Sequence, residues 1–283
     1  MRLTNEQLES YVRDGFLLLT DYFSPAEIEI LLTETGLIFA EDTPRRILEK
    51  SGAVRTVFAS HQTSEVFRCL SRLARLVEPT REILGSEVYI HQFKINAKVA
   101  LEGDQWEWHQ DFLYWHKEDA MPAPQVLTAA VFLQEMNDYN GPILVIPGMH
   151  TEGMINIQPV VKHRPDNGRH GNGDAQPPWH STLTADLKYK IDKEILARLM
   201  SKSRIAAVKG PAGSVLFFHG NLFHASAGNI SPWDRVCVFI SYNSVENKLG
   251  AMENPRPEFI ASRDFSPIVP VPDDSLLVMR TRK

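Results

Sequence analysis

The stretch Trp106 to His116 reads WEWHQDFLYWH, and how it is read decides the fold. It sets His109 and Asp111 two residues apart amid aromatics. On a β-strand, residues i and i+2 face the same side, so the imidazole and the carboxylate would converge on one point. Two histidines and one carboxylate make the facial triad that holds non-haem iron(II) and leaves coordination positions open. An HxD pair alone is a weak sign, because these residue types meet by chance in many chains. The third ligand has to come from far along the sequence. VLFFHGNLFHAS, residues 215–226, offers His224 as the first candidate and His219 as a competitor.

Outward from this stretch, the C-terminal side reads as short strands. Residues 88–99, 126–134, 143–146, 205–208, 214–218 and 236–241 are apolar runs, and 106–115 continues their pattern. Asn140-Gly141-Pro142 and Pro147-Gly148 are turns between them. The N-terminal side is mostly helical. Thr4 to Gln7 has the form of a capping box opening a helix with Leu8, Tyr11 and Val12 on one face. A short strand is expected over Phe16 to Leu19. Ser24 and Pro25 suit the cap and first turn of a helix running towards Phe39. A third helix is expected over Val66 to Leu84, burying Leu70, Leu73, Ala74 and Val77.

Helices first and many short strands after predict a mainly β fold with flanking α-helices around a double-sheet jelly-roll core. One domain is expected over residues 1–283, with a helical part at about 1–85 and the core at about 86–267. Residues 159–182 are rich in Gly, Pro, Asn and His and have no period. They read equally as a surface insertion or as a lid loop over the site.

Composition narrows the class further. The chain has 283 residues, 43% hydrophobic and 23% charged, enough for a substantial core. A net charge of −5 with no basic run argues against nucleic acid as a partner. The cysteines Cys69 and Cys237 form neither a disulfide framework nor a zinc pattern. No apolar run reaches the ~20 residues that span a bilayer, and MRLTNEQLES lacks the apolar stretch of a signal peptide. A cytoplasmic protein with a small-molecule substrate is expected, with no membrane partner and a homodimer left open.

Most of the ten histidines need no chemistry. His61, His163, His170 and His180 stand in polar or loop-like surroundings, His91 can be a satisfied core residue, and His150 follows a turn. After His224 the chain reads HASAGNISPWDR. An arginine eleven residues past a metal ligand can lie on the adjoining strand, where its planar fork suits a carboxylate. A surface salt bridge is the plainer alternative for Arg235. Ser226 can share such a grip through its hydroxyl.

Five collinear pieces carry a family resemblance: HQFKINAK (91–98), WHQDFLYWHKEDAMP (108–122), YNGPILVIPGMH (139–150), FFHGNLFHASAGNISPWDR (217–235) and ASRDFSP (261–267). Together they resemble the phytanoyl-CoA dioxygenase superfamily of iron(II)/2-oxoglutarate oxygenases, most of all its ectoine hydroxylase branch. The resemblance implies a double-stranded β-helix, cupin-like core, with His109, Asp111 and His224 as catalytic iron ligands. The position of His219 is not a ligand there. It implies Arg235 and Ser226 at the distal carboxylate of 2-oxoglutarate and Asn96 near that cosubstrate. It places Gln92, Trp115, Phe218 and Phe239 in the substrate pocket. The implied activity is a dioxygenase that uses Fe(II), 2-oxoglutarate and O2 and releases succinate and CO2.

Departures matter as much. The ectoine branch resembles HSDFETWH where this chain has HQDFLYWH, and its substrate-contacting Asn is Cys237 here. A hydroxylase of a small polar metabolite, an amino acid or a derivative, is therefore expected. Natural-product tailoring by hydroxylation, desaturation or epoxidation, or ectoine hydroxylation itself, is the alternative. Related halogenases replace the carboxylate ligand with Ala or Gly, so Asp111 speaks against that outcome. A zinc hydrolase or a non-catalytic jelly-roll metal binder comes behind these, because neither needs a carboxylate clamp.

Overall fold

Local chemistry starts the first two helices as expected. In the computed structural model, which describes residues 2–159, 187–189 and 191–280, Thr4 caps α1 (Asn5–Asp14) and Gln7 returns the hydrogen bond. Gly15 ends it at φ 79°, in the left-handed region. Ser24 and Glu27 form a second capping box for α2 (Pro25–Ala40). Past Pro159, the expected loop over 159–182 lies outside the described residues.

The first 85 residues are not purely helical. β1 (Phe16–Leu19) falls where expected, and β2 (Arg46–Leu48) and β3 (Val54–Phe58) add two strands. α3 (Ser60–Thr63) follows. The single helix expected over 66–84 is two, α4 (Glu65–Leu70) and α5 (Ala74–Leu84). The break has a tertiary cause. Leu73 bridges Val271, whose carbonyl accepts from the Ala74 N–H while its own N–H donates to Arg72. The Ala74 N–H and the Arg72 carbonyl are thus satisfied across the fold, while the N–H groups of Ser71, Arg72 and Leu73 close the end of α4.

The remaining elements are β4 (Val88–Lys98), β5 (Trp106–His109), α6 (Asp111–Asp119), β6 (Val126–Phe132), β7 (Ile143–Val145), α7 (Lys193–Met200), β8 (Ala206–Val208), β9 (Val215–His219), β10 (His224–Ser226), β11 (Arg235–Ser244) and α8 (Ser275–Arg280). Seven strands form a major sheet in the order β1-β9-β6-β11-β4-β3-β2, and four form a minor sheet, β5-β10-β7-β8. Among the described residues every pairing between these strands is antiparallel. This is the expected jelly-roll core, with β1, β2 and β3 extending its larger sheet at both edges.

Strand alternation divides the major sheet's two faces. Phe93, Ile95 and Ala97 of β4 and Val236, Val238 and Ile240 of β11 pack with Leu31, Phe67, Leu70 and Leu76 from the helices. The intervening residues face the minor sheet. Cross-strand neighbours there are Arg235 and Lys98, Cys237 and Asn96, Phe239 and Lys94, and Ser241 and Gln92. A row of polar and cationic groups is thereby set inside the sandwich.

One expectation about the organising stretch fails. Residues 106–115 are not one strand, since β5 stops at His109 and Asp111 is the first residue of α6. Asp111 suits a helix N-terminus, where a carboxylate meets the positive end of the helix dipole. His109 and Asp111 still converge, through a strand-to-helix turn and not through alternation.

Candidate metal centre and active site

His109 ends β5 and His224 opens β10, and the two strands pair so that these residues are Cα partners. Their ring centroids lie 4.2 Å apart. Asp111 completes the group: its oxygens are 3.6 Å from His109 Nε2 and 3.9 Å from His224 Nε2. One ligand atom from each of the three lies within 4.8 Å of the others.

Backbone carbonyls fix the two imidazoles. His109 Nδ1 is 2.6 Å from the Glu107 carbonyl and His224 Nδ1 is 3.0 Å from that of Leu222. Each Nδ1–H donates to its carbonyl, so each Nε2 carries a lone pair on the side of Asp111. Second partners of this kind fix the tautomer of a metal-binding histidine. Burial, with His109 next, pushes His224 down to about 4, which keeps it neutral. Burial pushes the Asp111 carboxyl up, but Lys94, His224 and His109 more than offset it and hold it below the usual range. Two imidazoles and one anion fit iron(II).

Gln110 stands between the two and ties the turn down. Its amide donates to the carbonyls of Gly153 and Asn221 at 2.8 Å each and accepts from the Ile155 N–H at 2.9 Å. His219 lies elsewhere. Its Nδ1 accepts from the Asn221 N–H and its ring neighbours that of His150 at 5.3 Å.

The cavity beside the triad measures about 820 Å³ with its open mouth. Gln92, Asn96, Trp115, Ser226, Arg235 and Phe239 all line it. Phe218 does not. It is buried in β9 with its ring 5.1 Å from that of His224.

Arg235 is 2% exposed, and no carboxylate among the described residues pairs with it. Its Nη2 donates to the Gly141 carbonyl at 2.7 Å, while Nε has no partner. Ser226 Oγ is buried and unpartnered as well. Burial pushes Arg235 down to about 10, and burial with repulsion from Arg235 pushes the adjacent Lys98 down to about 6. A buried cation without a counter-charge is costly. An incoming carboxylate relieves that cost, so this end of the cavity fits the distal end of 2-oxoglutarate. Asn96 Oδ1 accepts from Thr56 Oγ1 at 2.9 Å, which holds its amide in the same wall.

The wall further along holds residues that sequence reasoning missed. Arg256 is 5% exposed, lines the cavity and grips Asp119 with two hydrogen bonds, 2.8 Å from Nε and 2.5 Å from Nη2. His91 Nε2 lies 3.4 Å from the same carboxylate, and the His91 ring meets Trp115 edge-on at 5.3 Å. Lys94 lies 5.4 Å from the Phe239 ring centroid. Gln92 donates its amide to the Ile260 carbonyl at 2.9 Å, which fixes it in the cavity wall. Lysines alternating with Gln92 and Asn96 along a buried strand were a readable signal. Arg256, in the irregular stretch ENPRPE, gave none.

Asp119 is wholly buried and accepts two hydrogen bonds from Arg256, so its removal breaks a buried charge pair. Asp119→Ala is expected to lose about 3–5 kcal/mol of stability at neutral pH. Burial pushes the Asp119 carboxyl up, but Arg256 and His91 hold it below the usual range. The contribution is therefore complete above the ordinary aspartate value of ~3.9 and is lost only as pH falls through the lower folded value. Urea unfolding of both proteins at several pH values checks this. A gap below about 1 kcal/mol at pH 7 would show that the pair is not structural.

A jelly roll with this donor set defines a class, the iron(II)/2-oxoglutarate oxygenases. The profile of the phytanoyl-CoA dioxygenase (PhyH) family matches residues 11–237, and the chain belongs to that family. It is 38% identical over 267 residues to L-proline trans-4-hydroxylase of Streptomyces griseoviridis, covering 94% of this chain and 95% of that one. It is 36% identical to ectoine dioxygenase of Bordetella bronchiseptica over 98% of this chain and 88% of the other. The crystal structure of EctD from S. alaskensis with 2-oxoglutarate and 5-hydroxyectoine superposes with a TM-score of 0.76 at 33% identity, covering 92% of this chain and 84% of that one. The protein is thus an Fe(II)/2-oxoglutarate-dependent dioxygenase, a hydroxylase that uses dioxygen and acts on a small molecule. No helix among the described residues is long and apolar enough to cross a membrane.

Proposed function

We propose that this enzyme hydroxylates a free amino acid, with L-proline the foremost candidate, and that residues 1–283 act as one catalytic domain in the cytoplasm. His109, Asp111 and His224 hold the iron. Arg235 and Ser226 hold the distal carboxylate of 2-oxoglutarate, with Asn96 and Lys98 beside them. When bound, iron and 2-oxoglutarate supply an oxidant that removes hydrogen from carbon and leave succinate and CO2. The chain's own residues bind, orient and enclose. Gln92 and Arg256 orient the polar end of the substrate, and Trp115 and Phe239 form apolar walls for its ring or side chain.

The observation that carries this reading is the division of the cavity. Arg235 stands at one end of the cavity wall, with Lys98 beside it, while Lys94, next to Asp111 of the triad, and Arg256, held by Asp119, line the wall further along. One carboxylate belongs to the cosubstrate, and the second set suits the carboxylate of an amino acid. The similarity to a proline hydroxylase supports the same class. Cys237 is fully buried in the apolar cluster between the sheets and does not line the cavity, so the amide contact of the ectoine branch has no counterpart at this position. That favours an amino acid over ectoine, which stands as the second reading because of the ectoine dioxygenase relatives.

The test is a screen of anaerobically reconstituted iron enzyme with L-proline, other amino acids and ectoine, read by succinate and by a mass gain of one oxygen. The expected kcat/KM for L-proline exceeds that for ectoine at least about tenfold, equivalent to ~1.4 kcal/mol. A kcat/KM for ectoine above that of every amino acid would reverse the order. Turnover only of an acyl-CoA or a large apolar polycycle would remove the small-substrate reading.

A further inference from the structure

We infer that Tyr114 is a positioning residue that holds Leu187 as the roof of the substrate cavity, and so ties 2-oxoglutarate consumption to substrate oxidation. This rests on the site described above and not on the identity of the substrate. Tyr114 follows Asp111 by one turn of α6, lines the cavity and is 6% exposed. Its ring meets that of His109 edge-on at 6.2 Å. Its hydroxyl makes a reciprocal pair with one residue far along the chain. It donates to the Tyr189 carbonyl at 3.0 Å and accepts from the Tyr189 N–H at 2.9 Å.

That pair is one of several contacts that hold residues 187–189 and Ile191. The Leu187 N–H donates to Glu107 at 3.3 Å and the Ile191 N–H to the Trp108 carbonyl at 3.0 Å. The Tyr189 hydroxyl and the Lys188 ammonium both bind Glu118, at 2.6 Å each. The two tyrosine rings pack edge-to-face at 5.2 Å. Leu113, Tyr114, Leu187 and Tyr189 form one apolar cluster, and of Leu187, Lys188 and Tyr189 it is Leu187 that lines the cavity. Leu113 and Tyr114 are two of the positions where this chain departs from the ectoine branch, so the departure has a structural use here. A side chain that merely filled space would need no hydroxyl bonded to both backbone groups of one residue. A fixed roof excludes water from the oxidising centre and presses substrate towards it.

Tyr114→Phe removes only the oxygen and takes away these partners of the Tyr189 N–H and carbonyl. The experiment uses full-length iron enzyme with 2-oxoglutarate. Hydrogen exchange of the peptide containing Tyr189, substrate-free succinate formation and both KM values are read for wild type, Tyr114→Phe, Leu187→Ala and the double variant. In Tyr114→Phe the expected results are faster exchange at Tyr189, more substrate-free succinate, and a KM for L-proline raised about tenfold with that for 2-oxoglutarate within about twofold. Leu187→Ala is expected to reproduce the kinetic change without the exchange change, and the double variant to be no worse than Leu187→Ala. Unchanged exchange and coupling in Tyr114→Phe, or equal rises in both KM values, would overturn the inference. If Tyr114→Phe does not fold, normal coupling in Leu187→Ala does so by itself. If wild type ignores L-proline, the proposed substrate fails, while exchange and substrate-free succinate still decide the role of Tyr114.

Discussion

Asp111→Ala is expected to abolish hydroxylation, and His109→Ala and His224→Ala to do the same. Disturbing the partners that orient metal ligands costs about 10- to 100-fold, so losing a ligand itself should exceed the upper figure. The loss of Asp111 is the most severe of the three for an electrostatic reason. Asp111 is the one anion of the group, and Lys94 and the two imidazoles surround it. Without it a divalent cation meets only neutral and positive groups. Iron content and succinate formation should fall together in all three variants, while His219→Ala should retain iron. Loss of iron in His219→Ala with retention in His224→Ala would assign the wrong histidine, and full activity in any ligand variant would refute the triad.

Arg235→Lys should raise the 2-oxoglutarate KM by about ten- to a hundredfold, because lysine keeps the charge and loses the two-pronged grip. Arg235→Ala should do worse. Removing one partner of a buried, hydrogen-bonded charge pair costs about 2–5 kcal/mol, or roughly 30- to several thousandfold in affinity. The folded enzyme without cosubstrate should respond in the opposite sense. Arg235 is buried without a counter-charge, so Arg235→Met should unfold at a higher temperature than wild type when 2-oxoglutarate is absent. Unchanged 2-oxoglutarate kinetics in Arg235→Lys would take the arginine out of the site.

The chemistry was more legible in the sequence than the path of the chain that builds it. The spacing of His109 and Asp111 was visible directly, while the family resemblance, not the local pattern, chose His224 over His219 and gave Ser226 and Arg235 a role beyond a surface salt bridge. The turn at Gln110 was not readable. Apolar residues at 112, 113 and 115 fit strand and helix periods alike, aromatics favour strands, and no side chain at Gln110 caps α6 to announce a helix. β10 is three residues long and β2 likewise, too short to show a period. The break between α4 and α5 depends on Val271, some two hundred residues away, and no local pattern can report that. Arg256 is hidden for the same reason, since its value comes from Asp119 across the fold.

The pairing of β1 with β9 has a consequence for synthesis. Phe16 lies opposite Phe218 and Leu19 opposite Val215, so FLLL has no native partner until about two hundred further residues have been made. At ribosomal rates of about 5–20 residues per second that wait is roughly 10–40 s. Throughout it a bare apolar strand, with its unpaired backbone, can dock onto other nascent chains. The same stretch that delivers β9 goes on to deliver His224. The centre at His109 therefore cannot close before the N-terminal edge can, and a stalled or truncated chain exposes a sticky ribbon and an unfinished iron site together. Slower initiation, lower temperature or a chaperone that shields the first twenty residues should raise the yield of metal-competent enzyme more than any added iron.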